Sequence, residues 1–149
     1  MKKIVLLSLV VSLIIQSCIQ KETTKFPQGA WKNVSFQTIG KDSLGNVATT
    51  NYKVDFVKMW SEKNFSFVGQ WSQDTIIKDF YGGGTYTLDG NKYSEHVVYH
   101  FSQPGMVIDY NLKGLLELRN DTLVQIAPVD DKGKVIEKSH SLEKYVRLK

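Results

Sequence analysis

The chain has 149 residues, 19 of them basic and 15 acidic, a formal net charge of +4 and one cysteine. That length is one domain's worth, enough for a single core. No Lys/Arg run exceeds two residues and none is interleaved with stacking aromatics, which argues against a nucleic-acid footprint. A lone cysteine excludes a disulfide within the chain, so stability must come from a core and from ladder hydrogen bonds.

At the N-terminus Met1-Lys2-Lys3 precede an apolar stretch from Ile4 to Ile15, interrupted only by Ser8 and Ser12 and followed by Gln16-Ser17-Cys18. A charged start, a short apolar middle and a small residue at the end make an export signal. The apolar run of roughly twelve residues is too short for a spanning helix, which needs about 20. A lone thiol on an exported protein is a liability unless something consumes it. The junction resembles the lipobox of bacterial lipoproteins, with Ser17 as the small residue before the cut. The resemblance implies loss of residues 1–17 and a diacylglyceryl group on Cys18. It also implies a cell-envelope location, lipid-anchored to the outer membrane and either periplasmic or surface-exposed. Each buried acyl CH₂ contributes about 0.8 kcal/mol, so a multiply acylated N-terminus holds firmly. Loss of Lys2 and Lys3 lowers the net charge from +4 to +2. Residues 18–27 then form the lipidated cysteine and a short polar tether, which keeps the following domain near the bilayer.

After Pro27 the pattern has period two almost throughout. Runs rich in Val, Ile, Thr, Tyr, Phe and Trp fall at 29–39, 51–60, 64–72, 76–88, 91–101, 106–118, 122–128 and 141–148. Turn residues separate them at intervals of roughly 8 to 12. No long window has a capped 3.6 period, and Gly40, Gly45, Pro104 and Gly105 mark 40–50 and 102–105 as loops. The expected fold is all-β: eight antiparallel strands in a closed barrel or a sandwich.

Three hairpins can be registered. Ser61-Glu62-Lys63-Asn64 sets Trp60 against Phe65 and Val54 against Trp71. Asp89-Gly90 is a two-residue turn signal; it sets Leu88 against Asn91, Tyr86 against Tyr93 and Gly84 against Glu95. Asn120-Asp121 sets Leu118 against Leu123 and Leu116 against Gln125. A slip of one residue in any of them would reverse every face.

Gly29-Ala30-Trp31 opens the first strand as Gly-x-Trp, and Arg147 stands near the end of the last. Both resemble the lipocalins and related calycin barrels. That resemblance implies a tryptophan plugging one end of the barrel with the arginine packed across its ring, a contact worth roughly 0.5–2 kcal/mol. The stretch Gly83-Gly84-Thr85-Tyr86-Thr87-Leu88-Asp89-Gly90-Asn91-Lys92-Tyr93-Ser94-Glu95 and the strand start Asn120-Asp121-Thr122-Leu123 are similar to lipocalin-like domain lipoproteins of Gram-negative bacteria. The resemblance covers 28–149 and implies a single eight-stranded lipocalin-like barrel, but no defined activity.

By the expected register Glu95 shares an inward face with Tyr86, Leu88, Tyr93, Val97 and Tyr99. A carboxylate facing an apolar lumen needs donors. The tyrosine hydroxyls, Arg147 or a ligand can supply them. Tyr110, Leu112, Leu116, Leu118, Leu123 and Gln125 form one face of the next hairpin, with Gln125 the polar exception. The candidate ligand contacts are therefore Tyr86, Tyr93, Glu95, Tyr99, Tyr110 and Gln125.

Other constellations are weaker. His96 and His100 lie in a strand run, roughly 13 Å apart and too far to share one ion, and His140 is remote, so no metal site is assigned. Gly82-Gly83-Gly84 lacks the Lys-Ser/Thr of a phosphate loop and reads as a glycine bulge or strand bend. Asp130-Asp131-Lys132-Gly133 lacks the spaced oxygen ligands of a calcium loop and reads as a turn. No nucleophile–base set is present, and an enzyme using Glu95 as general acid or base has no second titratable group patterned with it. No catalytic residue and no cofactor are assigned.

The leading expectation is a membrane-tethered monomeric barrel that binds a small, partly apolar molecule in its mouth. The alternative is a packed barrel, its lumen filled by the aromatics that make up 11% of the chain, acting through its outer surface as an envelope interaction module. An apolar-lined cavity of ~300 Å³ or more favours the first.

Overall fold

In the computed structural model, residues 26–73, 75–101 and 109–149 are described. Cys18, the export signal and most of the tether lie outside them, as do the expected loop 102–105 and the first three residues of the sixth run.

Eight strands form one closed antiparallel barrel in chain order. They are β1 (Gly29–Lys41), β2 (Val47–Trp60), β3 (Asn64–Gln73), β4 (Ile76–Asp89), β5 (Lys92–Phe101), β6 (Tyr110–Arg119), β7 (Thr122–Ala127) and β8 (Ser139–Arg147). Every strand has two partners, because β8 returns to pair with β1. Closure satisfies the edge groups that an open sheet would expose.

The expected loop at 40–50 is shorter than the glycines suggest. Gly40 and Lys41 pair with Ala48 and Val47, so only residues 42–46 connect the strands. Asp42 closes that turn by accepting hydrogen bonds from the backbone N–H groups of Leu44 and Asn46.

Two of the three hairpins have the register read from sequence. Trp60 opposes Phe65 and Val54 opposes Trp71; Leu118 opposes Leu123 and Leu116 opposes Gln125. Asn120 and Asp121 both take positive φ, at 46° and 63°, as a tight turn of that type requires. The β4–β5 hairpin differs. Its turn is Gly90-Asn91, with Gly90 at φ 61° in the first central position, and Asp89 pairs with Lys92. Glu95 therefore opposes Tyr86, and Gly84 opposes Val97. The slide is two residues, so each side chain keeps its face.

Two bulges do change faces. In β5, Gly83 pairs with Tyr99 but Gly84 with Val97, leaving Val98 as the extra residue. Beyond it Tyr99 turns outward and is 49% exposed, which corrects its expected place beside Glu95. In β1 the register with β8 shifts around Val34, itself exposed. A bulge adds one residue to one strand and moves its later side chains to the opposite face.

The core is aromatic. Trp31, Phe56, Trp60, Phe65, Phe67, Tyr93 and Tyr145 are buried together with Val97, Leu116 and Leu123. Leu118, expected with them, stands at the end of β6 and is exposed. At the end where β1 begins, Trp31 forms a plug. Its Nε1–H donates to the Pro27 carbonyl at 2.8 Å, and the Arg147 guanidinium lies 5.2 Å from its ring centroid. Arg147 also donates to the Gln28 carbonyl.

Candidate functional site

The opposite end, where β1 runs out and β2 begins, is open. A cavity of about 320 Å³ there is lined by Phe36 and Thr38 of β1, Tyr52, Val54 and Phe56 of β2, Trp71 of β3, Phe80 of β4 and His100 of β5. The wall is nearly all aromatic. Phe36 meets Tyr52 edge-on at 5.2 Å, Tyr52 meets Trp71 at 5.8 Å, and Phe56 meets Phe80 at 5.1 Å between centroids. Rings held by their neighbours at T-shaped angles make a preformed apolar surface. At the rim, Lys78 sets its ammonium 5.5 Å from the Trp71 ring centroid.

The bulges decide who lines this cavity. Unbroken alternation from Trp31 and Asn33 would carry Ser35 and Gln37 inward. The extra residue at Val34 brings in Phe36 and Thr38 instead. Alternation from Glu95 and Val97 would carry Tyr99 inward. The extra residue at Val98 brings in His100. Its ring lies against Phe67 at 5.5 Å, Phe80 at 5.4 Å and Tyr110 at 6.4 Å. Its Nδ1 is buried without a hydrogen-bond partner among the described residues. Burial lowers its pKa below the ordinary histidine value.

A polar layer lies in the half of the barrel below the mouth. Glu95 forms an ion pair with Lys58, both side chains being almost fully buried. Lys58 also donates to Gln125 Oε1 at 3.1 Å, and its ammonium lies 4.9 Å from the Phe65 ring centroid and 5.1 Å from that of Trp60. Gln125, the polar exception on its face, is 1% exposed. Next to it across the β7–β8 pair is Glu143, which accepts hydrogen bonds from Tyr145 and Ser141. Burial raises the Glu143 pKa against the opposing pull of Lys58. It pushes the Tyr145 hydroxyl well up, with the Glu143 charge adding to the effect. Asn33 faces Tyr145 across the β1–β8 pair, and its amide has no hydrogen-bond partner among the described residues.

The six ligand contacts read from sequence thus separate. Tyr93, Glu95 and Gln125 are buried in and around the polar layer, where the Tyr93 hydroxyl accepts from Trp60 Nε1–H at 2.7 Å. Tyr86 reaches toward the plugged end and donates to the Ser61 carbonyl. Tyr110 is half-buried against His100. Tyr99 is on the outside, where it borders a depression of about 590 Å³ with Met59, Ser66, Thr85 and Val98. None of the six lines the mouth cavity. Glu95 finds its counter-ion in Lys58, neither in tyrosines alone nor in Arg147, which belongs to the plug. Lys58 was legible: Val54, Phe56 and Trp60 put it on an inward face at period two, and a lysine among them signals a buried partner. The cavity residues of the bulged strands carried no such signal.

Among the described residues no group of three or more His, Cys, Asp and Glu is placed to hold a metal ion. The architecture, a closed eight-stranded antiparallel barrel, is consistent with a calycin-like fold. Compared with known proteins, the chain matches no family model and no curated protein sequence.

Proposed function

We propose that this is a monomeric lipocalin-like binding protein. It takes a small, largely apolar molecule into the mouth of its barrel, and lipidated Cys18 holds it on the outer membrane. The observation that carries the reading is the cavity of about 320 Å³ at the end away from the Trp31 plug, walled almost wholly by aromatic side chains. Sites for small molecules are concave, preformed and mostly apolar, with a few polar groups to fix orientation. The Lys58–Glu95–Gln125 layer sits below the cavity as a rigid polar base, and Tyr110 supports the wall from behind His100. Glu95 is buried against Lys58, Glu143 is half-buried beside it, and neither lines the mouth cavity, so a binding role is favoured over catalysis.

The test is native mass spectrometry of residues 19–149, purified gently from the natural source. The expected result is a co-purifying small molecule that is lost in Trp71→Ala while the far-ultraviolet spectrum is unchanged. Repeated ligand-free spectra, together with no binding from a panel of apolar probes, would reject this reading. The outer depression around Met59, Val98 and Tyr99 would then become the surface to test for a protein partner.

A further inference from the structure

We propose that His100 is the polar reader of the mouth cavity, and that the ligand is a flat apolar molecule bearing a hydrogen-bond acceptor oxygen of the carbonyl type. The inference rests on the binding role proposed above and specifies its chemistry.

The argument starts from the two ring nitrogens. Nδ1 is buried and has no partner among the described residues; around the ring are Phe67, Phe80 and Tyr110. An orphaned buried N–H is rarer in proteins than an under-satisfied acceptor. The proton therefore belongs on Nε2, with Nδ1 left bare among the rings. Burial, which lowers the histidine pKa, acts in the same direction by keeping the ring neutral. The nitrogen that His100 can offer a ligand is then Nε2, and it offers a single N–H. An N–H on an aromatic wall selects an acceptor oxygen. Among the described residues the other polar groups of the lining are the hydroxyls of Thr38 and Tyr52, on β1 and β2 across the cavity from β5, and the indole N–H of Trp71 on β3.

The placement also has a structural cause. His100 faces inward only because β5 carries an extra residue at Val98. Bulges recur where a strand must re-aim a side chain. Here the re-aimed residue is the one imidazole of the cavity.

Two probes of one shape test this: 2-acetylnaphthalene, and 2-isopropenylnaphthalene, in which a CH₂ replaces the carbonyl oxygen. Both are titrated into residues 19–149, followed by tryptophan quenching, for the unaltered protein, His100→Phe and His100→Gln. The affinity ratio of ketone to alkene is the readout, since the water-side cost of the carbonyl cancels between variants. The expected result is a fall of about three- to tenfold in that ratio on His100→Phe. Alkene affinity should be nearly unchanged, and His100→Gln, which keeps an N–H donor, should recover part of the loss. An equal ratio in the unaltered protein and His100→Phe overturns the role of His100 while leaving the cavity a binding site. Binding of neither probe to the unaltered protein counts against both the inference and the reading beneath it. A His100→Phe chain that fails to fold transfers the decision to His100→Leu, where a ratio lowered from that of the unaltered protein supports the role of His100 and an unchanged ratio overturns it.

Discussion

Lys58 and Glu95 are 4% and 3% exposed, and a charge so placed is tolerable only with its partner in reach. Desolvating an ion costs several kcal/mol, and removing one member of a buried pair leaves that cost uncompensated on the other. Lys58→Met is therefore expected to destabilise by about 3–5 kcal/mol, measured as the loss of unfolding free energy in urea. The double change Lys58→Met with Glu95→Leu should recover most of that loss, because it removes the buried carboxylate that Lys58→Met alone would orphan and relieves Glu143 of the Glu95 charge. A Lys58→Met chain within 1 kcal/mol of the parent, by the same urea measurement, would show that the pair carries little of the barrel's stability. Glu143 belongs to the same layer, so the carboxylates there outnumber the single ammonium. Its raised pKa follows directly: burial resists the charged form, Glu95 adds repulsion, and Lys58 opposes both.

The strands show where a period-two reading holds and where it loses phase. All eight runs read from sequence meet the observed strands to within four residues at each end, because aromatic and β-branched residues alternate cleanly between short turns. The inward places of Trp31, Phe56, Phe65, Glu95 and Leu116 follow from the same alternation. Tyr99 and His100 do not, since the extra residue at Val98 reverses the faces beyond it and nothing in Val97-Val98-Tyr99-His100 marks the step. The one cue lies on the partner strand. Gly82-Gly83-Gly84 reads as a bulge or bend, and the register breaks between Gly83 and Gly84. A methyl on Gly84 would overlap the His96 carbonyl oxygen and crowd Val97 Cα. Both are backbone, and neither can swing aside. Gly84→Ala is expected to lower stability by about 2–3 kcal/mol, as overpacking against a fixed neighbour does. A thermal unfolding midpoint unchanged from the parent would mean that the bulge relaxes freely and does not fix the aim of His100.

On the scale of the whole molecule the two ends of the barrel are built differently. The chain enters at the plugged end, where Trp31 is bonded to Pro27 and Arg147 to Gln28, and the aromatic cavity opens at the other. From Cys18 to Pro27 is nine residues, at most ~30 Å of chain. If Cys18 carries the proposed acyl chains, this tether holds the plugged end toward the bilayer and leaves the mouth facing the aqueous side. Ligand entry and anchoring then do not compete. Anchoring would also be separable from folding, since among the described residues the barrel strands begin at Gly29 and the plug at Pro27. Cys18→Ser is accordingly expected to move the protein from the detergent phase to the aqueous phase on cloud-point partition. The unfolding midpoint and probe affinity of the barrel should stay as they were. Retention of Cys18→Ser in the detergent phase would assign membrane association to another surface, and the exposed group Met59, Val98 and Tyr99 would be the first to examine. A fall in probe affinity on the same change would show that the tether reaches the mouth, contrary to the separation of the two ends.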